Sequence, residues 1–383
     1  MRGILCVAAV ASRAVVPGRS RACGPARIWL APGGMSLKCF TFVSGLAIAG
    51  CASAGPNSTL VASDAAYHRA AADRRPEDPT LVWTPDHVVL VASEIAPDVF
   101  AVCPDDAARK NAAGIPVATS GGFVIGERGV LIIDTMINRR LAEQLVALIR
   151  ERTTKPILYA VNTSYHGDHS YGNQFLPAAT QVIQHENTQN YIQGHFADDI
   201  AFMSRYFGAH SGLQELKPTR AAILLKDGDS RDLDLGGKVV TVKHLGFAQT
   251  RGDLFVWIAA DRVLFTGNPI ISGGASFSWL LDGHSGEALA TLQRLRREFP
   301  DDAIVVPGHG VPTGMAAIDA HIRYLTDLRR EVSAALGDGL DPAVASERVS
   351  QRLAASYGSY KIYPWVNTQL NVAKVYDELK VQR

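Results

Sequence analysis

The sequence of 383 residues has no excess of charge of either sign, since 38 lysines and arginines face 37 aspartates and glutamates. A protein that binds nucleic acid through its phosphates needs a basic face, and this balance does not predict one. Internal repeats and low-complexity blocks are absent as well. The composition, 47% hydrophobic and 20% charged, is that of an ordinary globular protein. We therefore expect a small-molecule partner and no nucleic-acid partner.

Cysteine and long apolar runs are also scarce. The five cysteines are Cys6, Cys23, Cys39, Cys51 and Cys103. The apolar run CFTFVSGLAIAG is too short to span a bilayer stably. It follows Lys38 and ends in IAGC at Cys51, a pattern similar to a bacterial lipoprotein signal, in which the cysteine carries lipid and becomes the first mature residue. The alternative is an ordinary cleaved signal beside a chance cysteine.

This reading divides the chain into three parts. We expect an N-terminal extension and lipoprotein-type signal at 1–51, with Met35 as the true start, a polar tether at 52–80 and a folded domain at 81–383. Cleavage would leave only Cys51 and Cys103, so no disulfide framework is expected. The mature protein would be exported to the periplasmic side and anchored by lipid to a bacterial membrane. Ala52 after the lipidated cysteine favours the outer membrane.

From about residue 81, strand patterns alternate with helix patterns. GGFVIGERGVLIIDT predicts a hairpin whose second strand is buried throughout and ends at Asp134. KPILYAVNTS predicts another buried strand, and AIVVPGHG predicts one that runs into His309. NRRLAEQLVALIRERT, GEALATLQRLRREFP and HIRYLTDLRREVSAAL predict helices. Strands followed by helices in each half predict two packed sheets with helices on the outside.

Metal-binding residue types crowd one loop. NTSYHGDHSYGN, residues 162–173, places His166, Asp168 and His169 just after a predicted strand, where α/β proteins commonly hold their chemistry. Imidazole and carboxylate suit Zn and also Fe or Mn. A lone histidine is usually a hydrogen-bonded structural residue. Here His309, at the end of a second strand, favours a metal site instead.

These segments resemble the metallo-β-lactamase superfamily, whose signature is His-x-His-x-Asp-His. GVLIIDT resembles the family strand that ends in a structural aspartate, and HLGFAQTRGDLFVW resembles the segment with a further metal histidine. VLFTGN resembles the segment that ends in a metal-bridging aspartate, and VVPGHG the segment with the last histidine. The resemblance covers residues 81–383, with a C-terminal helical tail around NVAKVYDELK. It implies an α/β fold, a four-layer αβ/βα sandwich with the metal at its edge.

The chain departs from the family pattern at the first metal site. The three histidines that form this site in the family correspond to Ser164, His166 and Gln249. The aspartate that bridges the two metals corresponds to Asn268, whose amide oxygen can still act as a ligand. Only His166 remains of the first set, so the resemblance implies an altered first metal site.

The second metal site keeps its residues, Asp168, His169 and His309. The resemblance therefore implies one divalent metal per chain, Zn with Fe or Mn as alternatives. Asn268 or water would complete its coordination, with His166 as a further candidate ligand. Three protein ligands and an open position are typical of a catalytic zinc site.

The implied activity is metal-dependent hydrolysis of an ester, lactone, thioester or amide bond. Asp168 and His166 are the expected catalytic residues, with His166 as general base once it is freed from the first metal. Ser164 as a nucleophile is an alternative. A second alternative is an inactive metal-binding or ligand-binding member of the same fold. Nothing in the sequence singles out a β-lactam.

Aromatic residues near the metal loop predict a substrate pocket. We expect four residues to line it: Tyr165, Tyr171, Trp279 and His284. The structural alternative for His284 is a loop residue beside a helix start that Asp282 or Ser285 caps. Residues 190–210, with aromatic residues and a methionine at loosely helical spacing, are expected to cover the mouth of the site. Their alternative role is that of a core-packing helix.

Overall fold

The computed structural model describes residues 78–208, 210–271, 277–282 and 284–382. The expectations for residues 1–51, including Cys51 lipidation, and for most of the 52–80 tether lie outside the described residues. All described residues belong to one compact unit. Among them, every helix is too short or too polar to cross a membrane.

The first sheet has seven strands in sequential order. They are β1 Leu90–Ala96, β2 Val99–Pro104, β3 Gly121–Ile125, β4 Val130–Ile133, β5 Ile157–Val161, β6 Gln181–His185 and β7 Ile223–Leu225. Strands β1 to β4 pair antiparallel, and β4 to β7 pair parallel. The carboxyl ends of β4, β5 and β6 therefore share one edge of the sheet, and binding or catalytic residues are expected there.

The second sheet has six strands in the order β13-β12-β11-β10-β9-β8. They are β8 Ser230–Asp234, β9 Val239–Lys243, β10 Phe255–Ile258, β11 Val263–Ile271, β12 Ile304–His309 and β13 Thr313–Gly314. Only β11 and β12 pair parallel. An antiparallel bridge between Thr119 and His309 links the two sheets at the end of β12.

Helices cover the outer faces of both sheets. They are α1 Ala107–Ala112, α2 Arg139–Arg150, α3 Gly167–Ser170, α4 Glu186–Phe207, α5 Ser285–Glu298, α6 Ala316–Gly337, α7 Pro342–Tyr357 and α8 Val372–Val381. Short 3₁₀ turns occupy Pro79–Leu81, Pro85–His87 and Tyr171–Phe175, and a π-helical segment, Pro364–Asn371, joins α7 to α8. The predicted helices and buried strands are confirmed.

Alternation along the strands produces three separate hydrophobic cores. Leu131 and Ile133 of β4 face the core between the sheets, whereas Val130 and Ile132 face the core beneath α2. In β11, Phe265 joins the core between the sheets and Leu264 joins the third core, beneath α5 to α8. Alternate residues of each strand are buried on opposite faces of the sheet, so each sheet must be covered by other structure on both faces. This confirms the predicted four-layer αβ/βα sandwich.

The C-terminal tail is tied to the start of α5. The carboxylate of Glu378 in α8 accepts hydrogen bonds from the backbone amides of Ser285 at 2.8 Å and Gly286 at 3.0 Å. An acidic group at these amides satisfies donors that the helix leaves unpaired. The expected capping role of Asp282 or Ser285 is wrong, because Glu378 supplies that group from about 90 residues downstream.

Candidate metal centre

Three predicted ligands converge at the shared edge of the sandwich. Asp168 lies in α3 after β5, His169 follows it, and His309 ends β12. Oδ2 of Asp168 lies 3.5 Å from Nε2 of His169 and 3.4 Å from Nε2 of His309. Ligands about 2.0–2.1 Å from a tetrahedral ion are separated by about 3.4 Å, so these spacings fit one metal ion.

Asp134 sets the orientation of His169. Its Oδ2 accepts a 2.7 Å hydrogen bond from Nδ1 of His169, and the carboxylate also accepts from the backbone and hydroxyl of Thr163, both at 2.8 Å. Asp134 itself has a positive φ of 60°, a backbone conformation that few non-glycine residues adopt. With Nδ1 donating, Nε2 is the atom that points at Asp168, as in metal sites where a carboxylate holds the far side of the ring.

The other two ligands are held in a similar way. Nδ1 of His309 donates to the carbonyl oxygen of Val117 at 2.9 Å, and Thr119 donates to Asp168 at 2.5 Å. Burial lowers the pKa of His309 to about 4, so its Nε2 carries a lone pair at neutral pH. Burial opposes ionisation of Asp168, but the neighbouring imidazoles of His169 and His309 outweigh it and lower its pKa to about 2.

The pKa of His169 is raised, in contrast to that of His309. Burial disfavours its charged form, but the carboxylates of Asp168 and Asp134 outweigh burial and raise its pKa to about 9. In the metal-free protein its Nε2 therefore holds a proton that a metal ion would replace.

Asn268 adds a fourth group to the cluster. Oδ1 of Asn268 and Nε2 of His169 are both buried, and neither has a hydrogen-bond partner within the described ranges. The two side chains are nevertheless close enough for Asn268 to contribute to the raised pKa of His169. Buried polar atoms rarely stay unpaired, and a buried amide oxygen beside the imidazole of His169 fits coordination of the same ion. The donor set of two imidazoles, one carboxylate and one amide oxygen suits Zn, Fe or Mn.

His166 does not present a free nitrogen to this cluster. Its Nε2 makes a very short contact with the carboxylate of Asp282, and its Nδ1 accepts a 2.8 Å hydrogen bond from the amide nitrogen of Asn268. Both expected roles for His166, metal ligand and general base, require an available nitrogen. Asp282 could not be recognised as a partner of His166 from the sequence, because it lies 116 positions away.

Two of the three altered positions, Ser164 and Gln249, make structural hydrogen bonds. Oγ of Ser164 accepts a 3.2 Å hydrogen bond from the backbone amide of His166. Gln249 donates through Nε2 to the carbonyl oxygen of Trp279 at 3.0 Å, and its backbone amide donates to Asp253. The Asp253 carboxyl is fully enclosed, and burial raises its pKa to about 6.

A cavity of about 130 Å³ opens beside the metal cluster. Trp279 lines it, as expected, and so do aromatic residues of α4, within the 190–210 segment. Tyr165 and Tyr171 do not line it, because Tyr165 stacks on Tyr191 with ring centroids 3.7 Å apart and the Tyr171 hydroxyl donates to Asp199. His284 is also outside the lining and lies edge-on to Phe247.

A second cluster has a similar composition. His185 ends β6, Asp227 lies between β7 and β8, and His244 follows β9. Nε2 of His185 lies 3.2 Å from Oδ1 of Asp227, and the two rings are 4.4 Å apart. In both histidines Nδ1 accepts a backbone hydrogen bond, from Asn187 at 3.1 Å and from Gly228 at 3.0 Å.

Comparisons with known proteins agree with this geometry. The family model described as Metallo-beta-lactamase superfamily matches residues 114–309, which include the whole metal cluster. A metallo-beta-lactamase type 2 of Bacteroides fragilis is 23% identical over 206 residues, or 53% of this chain and 73% of that protein.

One solved structure shares the fold at a TM-score of 0.50. DIM-1 metallo-beta-lactamase exposed to ceftazidime has a TM-score of 0.50 at 20% identity, over 63% of this chain and 99% of that chain. A metallo-beta-lactamase from Pontibacter korlensis has a TM-score of 0.46 at 17% identity, over 62% and 99%. With the family match extending from the loop before β3 to the last ligand on β12, the chain belongs to the metallo-β-lactamase superfamily.

Proposed function

We propose that this protein is a hydrolase of ester, lactone, thioester or amide bonds that uses one divalent metal ion, most simply zinc. The observation that carries the proposal is the convergence of three ligands: Nδ1 of His169 and of His309 is anchored by a hydrogen bond, and Nε2 of each ring lies about as far from Oδ2 of Asp168 as two ligands of one ion do. A metal ion bound there would lower the pKa of a coordinated water molecule and polarise the carbonyl group of a substrate.

The residues of the altered first site have a different role in this proposal. Asp282 accepts from Nε2 of His166, which leaves Nδ1 of His166 as a hydrogen-bond acceptor. Nδ1 then holds the NH₂ group of Asn268 and turns its Oδ1 towards His169. The chain Asp282, His166, Asn268 thus orients an amide ligand for the remaining metal. His166 acts as a positioning residue rather than as the general base expected from the sequence.

This arrangement does not support Ser164 as a nucleophile. A nucleophilic hydroxyl needs a base within hydrogen-bond reach, and the imidazole of His166 is already committed to Asp282 and Asn268. Ser164 is fully buried, and its Oγ contacts the backbone of His166 rather than the ring.

An inactive metal-binding or ligand-binding protein is the competing proposal. It is favoured by the same Asp282 contact, because a carboxylate held against His166 closes the first metal site to an ion. It differs from the hydrolase proposal in predicting metal content without turnover.

The test is elemental mass spectrometry on the purified chain, followed by an assay of ester, lactone, thioester and amide substrates. One metal per chain, with turnover that a chelator abolishes and zinc restores, supports the hydrolase. Metal content without turnover of any of the four bond types supports the binding protein. Absence of metal after reconstitution with Zn, Fe or Mn overturns both metal proposals.

A further inference from the structure

We propose that the cavity beside the metal cluster selects uncharged, apolar acyl compounds and rejects substrates that carry a carboxylate. This inference rests on the proposed hydrolase function and narrows its substrate class. Water is added across the acyl C–O bond, which breaks: an ester gives a carboxylic acid and an alcohol, and a lactone gives a single hydroxy acid.

The cavity is large enough for an organic acyl group. Its volume of about 130 Å³ is roughly ten times the 10–15 Å³ that one water molecule needs. The metal-facing end is formed by His166, Asp168, Asn268 and His309. Since the ligands lie on the cavity surface, an acyl group held in the cavity would present its carbonyl to the metal cluster.

The walls are apolar and come from separate parts of the chain. Trp83 precedes the first sheet, Phe207 and Tyr206 end α4, Trp279 precedes α5, and Val366 belongs to the C-terminal tail. The aromatic rings support one another, with centroids of Trp83 and Phe207 4.4 Å apart and those of Tyr206 and Phe207 5.1 Å apart. Apolar walls of this kind favour hydrophobic ligands, at about 25 cal/mol for each Å² of apolar surface removed from water.

Within the described part of the chain, no lysine or arginine side chain is available in this cavity to balance a substrate anion. Among the lining residues within the described part of the chain, none is lysine or arginine. Lys361, between two lining residues, is exposed and does not contribute to the lining.

One carboxylate adds negative charge to the wall. Asp199 of α4 is 5% exposed, lines the cavity, and accepts hydrogen bonds from the hydroxyls of Tyr171 at 2.7 Å and Tyr191 at 2.9 Å. The two hydroxyl donors stabilise the carboxylate.

The charge balance follows from these groups. Asp134 and Asp168 would together neutralise a divalent metal ion, and the carboxylates of Asp199 and Asp282 would leave the cavity and its surroundings with a negative charge. A carboxylate on the substrate would lose its hydration in the cavity without gaining a cationic partner from the lining residues, which costs free energy. The same field favours departure of the anionic acid product.

The test compares two p-nitrophenyl esters with acyl chains of equal length, the neutral hexanoate and the adipate monoester, which ends in a carboxylate. We expect kcat/KM for the neutral ester to exceed that for the anionic ester by about 100-fold or more. Turnover of the two esters within threefold of one another overturns the proposal. Benzylpenicillin, also a carboxylate, is expected to be a poor substrate in the same assay.

A charge-introducing variant isolates the cause. Ile362→Lys puts a cation on the partly buried lining of the cavity, and Ile115→Lys does the same from another loop if the first variant does not fold. Either variant should lower the ratio of kcat/KM for the neutral ester to kcat/KM for the anionic ester at least tenfold. Val381→Lys, at a position that is 88% exposed and outside the cavity, makes the same charge change and should leave the preference unaltered. An equal response in all three variants contradicts a local effect.

Binding separates this inference from the hydrolase proposal. The unreactive ketones 2-octanone and 7-oxooctanoate differ only in a terminal carboxylate, and Trp83 and Trp279 in the lining report their binding by fluorescence. If no ester is hydrolysed but the neutral ketone binds at least tenfold more tightly, the hydrolase proposal fails and the cavity assignment stands. If the keto acid binds as tightly as the ketone, the cavity assignment fails, whatever the activity.

Discussion

Two clusters in this protein contain the same residue types, two histidines and one aspartate, with their ligand atoms within 4.8 Å of one another. They differ in the hydrogen bonds at Nδ1. In the metal centre, Nδ1 of His169 and of His309 donates to an oxygen atom. In the second cluster, Nδ1 of His185 and of His244 accepts from a backbone amide.

This difference determines which cluster suits a metal ion. An imidazole whose Nδ1 accepts a hydrogen bond holds the single proton of its neutral form on Nε2, so that nitrogen has no lone pair for a metal ion. His185 and His244 therefore turn N–H groups, not lone pairs, towards their surroundings. His169 differs, because its Nδ1 keeps a proton when a metal ion replaces the one on Nε2. A set of suitable residues at suitable distances is not sufficient, because the contact on the far side of each ring decides its chemistry.

The largest expected difference between the clusters is in metal content. His309→Ala should remove the bound metal, because it deletes one of three protein ligands, whereas His244→Ala should retain it. Elemental mass spectrometry of both purified variants measures this directly. Loss of metal in His244→Ala, with the fold intact by circular dichroism, would mean that the second cluster also binds an ion.

A matched pair of variants tests the aspartates that contact the histidine rings of the two clusters. Asp134→Asn removes the charge that holds Nδ1 of His169 and should weaken zinc binding about 10- to 100-fold. Asp227→Asn, next to His185, should leave zinc affinity unchanged, because its side chain is 78% exposed and holds no ligand. Competition with a fluorescent zinc chelator gives both affinities, and equal losses would contradict the role given to Asp134.

A smaller effect, about tenfold on kcat/KM, is expected for Asp282→Ala, because His166 and Asn268 lose their anchor. Asp282→Asn keeps an oxygen acceptor for Nε2 of His166 and should restore most of the activity. Metal content is measured in both variants. If the asparagine variant is as impaired as the alanine variant, the charge of Asp282 matters more than its positioning of His166.

The smallest expected effect concerns stability in acid. Burial lowers the pKa of His244 to about 4, below the usual value of about 6.5 that the unfolded chain has. The unfolded state therefore binds more protons, and the free energy of unfolding falls as the pH drops from about 6.5 towards 4. After allowance for solvent screening we expect a contribution of about 1 kcal/mol. His244→Gln should flatten urea-unfolding free energies across this range, and an unchanged slope would exclude His244 as a source.

Local pattern was sufficient for much of the fold. The continuous apolar run of β4, ending at Asp134, and the 3.6-residue period of α2 specify burial without reference to distant residues. The ligands Asp168 and His169 are adjacent in the sequence and follow a strand, so they were visible as a cluster. Their identification with His309 needed the family resemblance, because that residue is 140 positions further on.

Other features had no local signature. Asp282 and Glu378 looked like ordinary polar residues, and the cavity walls come from segments between Trp83 and Val366. Tyr165 and Tyr171, next to the metal loop in the sequence, face away from the cavity. Neighbouring residues on a loop leave it in different directions, so adjacency to a ligand does not predict adjacency to a substrate.

The sequence by itself determined which segments are buried strands and amphipathic helices, and which residue types are available to bind a metal, because periodicity and side-chain chemistry are local properties. Only the packed structure shows that His166 binds Asp282, that Asn268 lies with its oxygen near His169, and that Nδ1 donates in one histidine cluster and accepts in the other. Those outcomes depend on where backbone amides and carboxylates from distant segments meet each imidazole ring. These contacts form only when the two sheets of the sandwich pack against one another.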